Sequence, residues 1–184
     1  PKNWRIDRMS EFVALSERPT DSEYADYYGG YIGQVPGYQC AALLESQVTE
    51  LKKFFESVSE ADATIVHPPY RWTIKQVVGH MIDAERIFAD RLHRFSSGDP
   101  QSQPGMDQDL YVTNHDYESP TLAVLVEEFL YCRRANLLLI QRLRPKAFDL
   151  RGTASGHSFT VRALAWILVG HVIHHMKIVR KRLE

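Results

Sequence analysis

The sequence predicts an all-α protein, a four-helix bundle with an N-terminal arm and a long loop between the second and third helices. Four segments of roughly 20 residues each repeat apolar side chains with the 3.6-residue period of an amphipathic helix. No long segment alternates apolar and polar residues as a strand does, and only residues 156–160 are expected to be briefly extended. With 184 residues, the chain can bury a core without disulfides or a structural metal.

The first two helices are defined by apolar stripes and by their starting signals. The first is predicted over residues 38–58, directly after a Pro-Gly turn. The second is predicted over residues 73–95, because Thr73 and Gln76 can form a capping box that satisfies backbone donors left free by the first turn. Each helix has one apolar face and therefore needs a packing partner.

The last two helices are predicted over residues 119–143 and 160–183. The third begins with Ser119 as N-cap and Pro120 at the first helical position. The fourth ends in a run of cations, which suits the negative end of a helix dipole. About 24 residues separate the second and third helices, which is long for antiparallel neighbours. The chain is therefore expected to cross the bundle there, giving an up-down-down-up order with the second and fourth helices antiparallel.

Residues 1–36 are predicted to be an arm laid over the bundle domain of residues 37–184. The arm is polar and turn-rich, with at most a short helix around residues 5–15. It carries a tyrosine cluster formed by Tyr24, Tyr27, Tyr28 and Tyr31. Such amphipathic aromatic side chains either anchor a homodimer interface or pack the arm onto its own bundle.

Composition excludes several classes of function. Lys and Arg number 22 against 23 Asp and Glu, so the basic surplus typical of duplex nucleic-acid binders is missing. No apolar run approaches the roughly 20 residues of a membrane span, and no secretory signal is visible. Two cysteines are too few for a disulfide framework. We expect a cytoplasmic protein that acts on a small molecule and binds neither nucleic acid nor membrane.

Three of the 8 histidines lie on helix stripes that should be apolar. His171 and His175 are four residues apart and share one face of the fourth helix, while His80 lies on the inner stripe of the second. At 1.5 Å per residue, His80 lies roughly 10 Å from the start of its helix, and His175 and His171 lie roughly 12 and 18 Å from the end of theirs. In antiparallel helices these depths nearly coincide, so the three imidazoles are expected to converge.

Three converging neutral imidazoles would bind a divalent ion such as Zn²⁺ or Ni²⁺ and leave coordination positions open. The spacing alone leaves another interpretation open, because a histidine on an apolar face is more often a hydrogen-bonded core residue. His174 is a competing ligand, since it lies three residues after His171. Its stripe includes Lys177 and Lys181 and should face water, so we prefer His175.

Further polar residues are candidates for supporting roles. Asp83 could orient a ligand imidazole, or it could be a solvated carboxylate. Glu85 lies about 140° around the helix from His80, which argues against co-ligation. The loop over residues 96–119 is long enough to cover the site. Its candidate substrate contacts are Asp107, Gln108, Asp109 and Tyr111.

The third helix carries a group of charged residues that could line a polar entrance to the site, although such runs are usually ion-paired residues on the protein surface. They are Glu127, Glu128, Arg133 and Arg134. Cys40 and Cys132 are predicted within helices and have no evident activating base, so cysteine catalysis is not expected.

Residues 71–86, 105–111 and 171–175 together resemble the DinB/YfiT-like superfamily of metal-binding four-helix bundles, and the resemblance extends over about residues 30–183. It implies the up-down-down-up bundle and one divalent metal ion (Zn, Ni, Fe or Mn) held by His80, His171 and His175. It also implies dimers. Known activities of that family are thiol transfers and isomerisations that depend on bacillithiol, mycothiol or glutathione.

Two functions are therefore expected. The first is a metal-dependent thiol S-transferase or hydrolase acting on a small molecule, with a low-molecular-weight thiol as one candidate partner. The alternative is a non-catalytic, stress-related bundle that binds a metal or a ligand. No general base can be identified from the sequence.

Overall fold

The computed structural model describes residues 13–184, which form seven α-helices and one two-stranded antiparallel sheet. The helices are α1 (Gly29–Ile32), α2 (Cys40–Phe55), α3 (Glu60–Thr64), α4 (Ile74–Ser96), α5 (Gln108–Asn114), α6 (Leu122–Gln141) and α7 (Val161–Arg182). The strands are β1 (Arg151–Ala154) and β2 (His157–Thr160), and single 3₁₀ turns lie at Val13–Leu15, Asp21–Glu23, Asp26–Tyr28 and Pro145–Asp149. The four predicted long helices are confirmed as α2, α4, α6 and α7. The helix expected around residues 5–15 falls mostly outside the described residues.

Side-chain caps fix the start of each long helix after α2. The capping box of α4 is present: Gln76 N–H donates to Thr73 Oγ1 at 3.1 Å, and Thr73 N–H donates to Gln76 Oε1 at 2.9 Å. Thr160 caps α7. The predicted N-cap of α6 is wrong by two residues, because Thr121 caps the helix in place of Ser119. The Ser119 N–H instead bonds to Asp116 in a preceding turn, at 2.9 Å.

Contacts at the helix ends establish the direction of three helices. Arg182 at the end of α7 donates to the carbonyl of Trp72 just before α4, at 2.7 Å, so these helices are antiparallel. Lys75 at the start of α4 donates to the carbonyl of Glu118 just before α6, at 2.5 Å, so α4 and α6 are parallel.

The remaining long helix, α2, runs parallel to α7. Their C-terminal ends meet where the guanidinium of Arg180 lies 5.3 Å from the ring centroid of Phe54. Both α2 and α4 pack against α6 and against α7. The order is therefore up-down-down-up, as the length of the second connection predicts.

A charged network crosses the centre of the bundle and joins all four long helices. Arg133 of α6 is completely buried and donates to both carboxylate oxygens of Glu85 on α4, at 2.6 and 2.9 Å. It also donates to Gln47 Oε1 on α2 at 2.6 Å and to the carbonyl of Leu168 on α7 at 3.1 Å. Asn136 donates to Glu85 Oε1 at 2.9 Å. The expectation that Arg133 lies on the surface or at a polar entrance to the site is wrong. Arg133 is buried, and a buried carboxylate on a facing helix compensates its charge.

The hairpin before α7 contains one predicted and one unpredicted strand. The expected extended segment is β2, and it pairs with β1, in which Gly152 faces Phe159. A Cβ at Gly152 would lie 2.0 Å from the ring of Phe95, so only glycine lets the hairpin lie on the end of α4. Within residues 13–184, no helix is both long and apolar enough to cross a membrane.

The described part of the N-terminal arm, residues 13–36, lies on α7. A Cβ at Gly170 would lie 2.1 Å from the carbonyl oxygen of Tyr31, so α1 rests directly on the backbone of α7. Tyr28 packs edge-on against Phe88 and Phe159, with ring centroids 5.9 and 5.3 Å apart. Tyr27 is 70% exposed. Of the two interpretations of the tyrosine cluster, packing on its own bundle is observed for Tyr28 and Tyr31, and dimerisation stays a prediction.

Candidate metal centre

Three histidines from two helices meet in the interior of the bundle. His171 Nε2 lies 3.0 Å from His80 Nε2 and 3.0 Å from His175 Nε2. All three side chains are buried, and one candidate ligand atom from each lies within 4.8 Å of the other two. No Cys, Asp or Glu in residues 13–184 joins this group. The cluster is thus a pure imidazole donor set.

The antiparallel packing of α4 and α7 produces this convergence. His80 is near the start of α4, His171 is at the middle of α7, and His175 lies one turn closer to the end of that helix. Because the start of α4 lies beside the end of α7, the three residues reach the same level of the bundle. The depth argument made from the sequence therefore places them correctly.

Burial keeps the three imidazoles in the form that binds metals. It lowers the pKa of His80 to about 4, assisted by the positive charge that His174 can carry. Burial also lowers the pKa values of His171 and His175 well below their usual range, and the neighbouring histidines lower them further. At neutral pH all three rings are therefore uncharged and have a free lone pair for a cation.

His174 lies outside the cluster. Its Nδ1 is 3.4 Å from Gln34 Nε2 of the arm, and its ring packs edge-on against Tyr31 at 5.2 Å. The side chain is only partly buried. The structure therefore brings His175, and not His174, to His80 and His171.

A cavity of about 80 Å³ opens onto the cluster. His80 and His171 form part of its wall, and the other wall residues come from the arm, from α4, from the loop before α5 and from the first residue of α5. These are Tyr27, Tyr28, Tyr31, Ala84, Ile87, Phe88, Arg91, Met106 and Gln108. The open coordination side of the cluster therefore faces a small chamber with largely aromatic and aliphatic walls.

Comparison with known proteins agrees with this fold. The sequence profile of the DinB superfamily matches residues 43–179, which is most of the chain. The protein belongs to the DinB superfamily. Its structure is similar to that of YfiT from Bacillus subtilis, with a TM-score of 0.69 and 17% identity, covering 92% of this chain and 96% of that one. YfiT is described as a probable metal-dependent hydrolase with an unusual four-helix bundle topology. No curated protein matches this chain significantly.

In this DinB-superfamily chain, Asp83 does not orient a ligand histidine. It is buried and accepts a hydrogen bond of 2.5 Å from the hydroxyl of Tyr117, and His115 Nδ1 lies 3.6 Å from its other oxygen. Burial raises its pKa, although the Tyr117 hydrogen bond opposes the shift. The alternative of a solvated Asp83 is also wrong. Arg86, three residues after Asp83, forms its ion pair with Glu128, at 2.6 Å.

The long loop of this DinB protein contains the short helix α5, which sequence periodicity missed. Asp107 is its N-cap and accepts hydrogen bonds from the N–H groups of Asp109 and Leu110, at 3.1 Å each. Its carboxylate is therefore engaged with the backbone and does not line the cavity. Gln108 does line the cavity, and its role as a substrate contact stays a prediction. Tyr111 packs against the ring of His115 at 5.7 Å and is not part of the cavity wall.

The donor geometry fits a divalent ion. Two nitrogen ligands at 2.0–2.1 Å from a tetrahedral zinc lie about 3.3 Å apart, close to the observed Nε2 separations of 3.0 Å. The Nδ1 of His80 is buried and has no hydrogen-bond partner among residues 13–184. Its ring is oriented instead by packing, since Trp72 lies against it with centroids 5.3 Å apart.

The tyrosines of the arm and Arg91 are site residues that sequence reasoning missed. The tyrosine density was a visible signal, but an aromatic cluster indicates only that a surface is covered. Arg91 continues the α4 stripe that holds His80, Ala84 and Phe88, and this spacing could have revealed it.

Proposed function

We propose that this DinB-superfamily protein is a metal-dependent enzyme that acts on a small molecule, as a hydrolase or a thiol S-transferase. The observation that carries the proposal is the meeting of His80, His171 and His175 beside a cavity whose wall includes His80 and His171. Three protein ligands leave coordination positions for water or substrate, which distinguishes catalytic from structural sites. The description of YfiT as a probable metal-dependent hydrolase supports the proposal.

The resident ion is proposed to be Zn²⁺, Ni²⁺, Fe²⁺ or Mn²⁺, and imidazole ligands favour the first three. When bound, such an ion lowers the pKa of a water or thiol and supplies a nucleophile at neutral pH. The three histidines contribute the uncharged Nε2 atoms that face one another. Because Cys40 is buried and burial raises its pKa, the chain offers no competing thiolate nucleophile there.

Aromatic residues around the cavity orient the histidine ligands and keep water away from them. Tyr31 and Phe88 lie edge-on to His171, with ring centroids 5.3 and 5.9 Å away, and Trp72 covers His80. These rings fix the orientation of the imidazoles and exclude bulk water from them. A low local dielectric strengthens every electrostatic interaction made inside the cavity. The small volume favours a small substrate, or one small end of a larger molecule.

A non-catalytic function has one observation in its favour. The two Nε2 separations of 3.0 Å also suit N–H···N hydrogen bonds between neutral imidazoles, which need no metal. In that case the cluster would be a buried polar core within a ligand-binding bundle. Metal content decides between the two functions.

The test is to purify the protein without a nickel column and to measure its metal content by mass spectrometry. We expect about one divalent ion per chain in the wild type and none in His80→Ala. The control is His174→Ala, which is expected to keep the metal because His174 lies outside the cluster. Metal-loaded wild type is then screened with ester and amide substrates and in thiol-conjugation assays. Absence of bound metal, even after Zn²⁺ or Ni²⁺ is added, refutes the metal-dependent function.

A further inference from the structure

A buried arginine shares the cavity with the histidine cluster. Arg91 is only 2% exposed and contributes to the cavity wall together with His80 and His171. It lies three helical turns after His80 on the same face of α4, where Ala84, Ile87 and Phe88 fill the intervening positions. One face of α4 thus presents a histidine at one end of the cavity and a guanidinium farther along.

Within the described residues 13–184, the charge of Arg91 has no counter-ion. Its Nη2 donates to the carbonyl of Pro104 at 2.7 Å, and its guanidinium lies 5.8 Å from the ring centroid of Phe88. No carboxylate in residues 13–184 lies within ion-pair distance of it. Arg133, the other deeply buried arginine of α4 and α6, is by contrast bonded to both oxygens of Glu85. A buried and unpaired charge is costly, which favours an anion that arrives from outside.

The cavity wall is suited to such an anion. None of its lining residues is acidic, so nothing within the wall competes for the guanidinium. Asp109 interacts electrostatically with His80 but is exposed on α5 and is not part of the wall. The guanidinium fork matches a carboxylate through two parallel N–H···O bonds, and only Nη2 is engaged by Pro104.

We propose that Arg91 binds the carboxylate of the substrate, so that the substrate class is a small organic carboxylate whose reacting group lies at the histidine cluster. This inference rests on the proposed function for the identity of the reacting end. Eleven residues of helix separate His80 from Arg91, or about 16 Å along the axis at 1.5 Å per residue. Helical side chains lean towards the N-terminus, so the long side chain of Arg91 shortens that distance. The remainder requires a spacer between the carboxylate and the reacting group. The cavity therefore selects an extended molecule with one charged end.

The experiment compares two probes of equal chain length that differ at one end, which is a carboxylate in one and an uncharged hydroxyl in the other. Mercaptohexanoate carries a thiol for the metal end and a carboxylate for Arg91, and mercaptohexanol replaces the carboxylate with a hydroxyl. Binding of each probe to the wild type, Arg91→Lys and Arg91→Met is measured by calorimetry. The metal content and melting temperature of every sample are recorded. We expect the wild type to bind the carboxylate about tenfold or more tightly than the alcohol, since charge-assisted hydrogen bonds are the stronger class. Arg91→Met should bind both alike, and Arg91→Lys should keep part of the preference.

Equal affinity of the wild type for the two probes overturns the inference, and so does a preference that survives in Arg91→Met. If Arg91 only holds the loop through Pro104, Arg91→Met lowers the melting temperature and leaves the ratio of the two affinities unchanged. If Arg91→Met does not fold, the ratio of the two probe affinities in the wild type and in Arg91→Lys still tests the inference. A sample without metal that shows an Arg91-dependent preference refutes the proposed function alone. A metal-loaded sample without the preference refutes this inference alone.

Discussion

Removing Arg133 tests whether the central charged network holds the bundle together. Its guanidinium is completely buried and makes four hydrogen bonds, which reach α2, α4 and α7 from α6. The substitution Arg133→Met keeps much of the aliphatic volume and removes the charge. Glu85, which is 2% exposed, then keeps a buried carboxylate whose remaining side-chain donor is Asn136.

The expected loss of stability follows from the buried Glu85 carboxylate that Arg133→Met leaves without its ion-pair partner. Breaking a buried ion pair by removing one partner typically costs about 3–5 kcal/mol, because the other charge is left without compensation. Gln47 and the carbonyl of Leu168 also lose a donor, although the carbonyl keeps its place in the helix. For a domain of typical stability, about 5–15 kcal/mol, this is a large share of the total. We therefore expect Arg133→Met to lower the free energy of unfolding by about 3–5 kcal/mol.

The assay is urea denaturation at neutral pH, followed by circular dichroism, on Arg133→Met, Glu85→Leu and the double variant. The double variant leaves no unpaired charge, so it should be more stable than the sum of the two single losses predicts. The matched control is Arg134→Met, since Arg134 is exposed on the same helix. A loss below about 1 kcal/mol in Arg133→Met, or strictly additive losses in the double variant, would refute the reasoning.

Three further predictions concern the metal, the arm and the assembly. Adding Zn²⁺ at about 100 times its dissociation constant should stabilise the wild type by about 2.7 kcal/mol, seen as a higher melting temperature, and should leave His80→Ala unchanged. Gly170→Ala should lower stability by about 1–3 kcal/mol because its Cβ would meet the carbonyl of Tyr31. Gly30→Ala, whose Cβ would meet nothing within 4 Å, should not lower stability. Equal losses of stability in the two variants would contradict the direct packing of α1 on the backbone of α7. We also predict a homodimer, and light scattering that reports a monomer at micromolar concentration would exclude it.

The fold and the histidine cluster could be predicted because they depend on local and repetitive signals. The capping box at Thr73 involves only residues three apart, and the apolar stripes identify helix faces without knowledge of their partners. Given antiparallel neighbours, helical rise alone brings His80 to the level of His171 and His175. Each step uses spacing along one helix and a single assumption about direction.

The central charged network could not be predicted, because it consists of contacts between residues on different helices. A charged residue in an amphipathic pattern is assigned to the surface unless its partner is known. Arg133 and Glu85 are 48 residues apart, and only the packing of α6 on α4 makes them a buried pair. Arg91 and the arm tyrosines were missed for the same reason. Their shared cavity is formed by four separate segments of the chain: the arm, α4, the region of Met106 and Gln108, and α7.

The buried histidines also predict how the stability of the metal-free protein depends on pH. Burial lowers the pKa of His80 to about 4, while the unfolded chain has the ordinary value near 6.5. Below about pH 6.5 the unfolded state therefore takes up a proton that the folded state does not, so its free energy falls relative to that of the folded state. The contribution of His80 is fully present above that pH and decreases by about 1.4 kcal/mol per unit as the pH falls towards 4, a total of about 3 kcal/mol.

His171 and His175 change stability in the same direction, because burial lowers their pKa values as well. The measurement is urea denaturation of protein stripped of metal by a chelator, at half-unit steps between about pH 4.5 and 7.5, the range in which an unfolded histidine titrates. His80→Gln removes one titrating ring, so its stability should depend less steeply on pH than that of the wild type. His93→Gln, an exposed position on the same helix, should leave the slope unchanged. If His80→Gln keeps the full wild-type slope, burial of this imidazole does not produce the acid sensitivity, and the packing of the cluster would have to be looser than the structure shows.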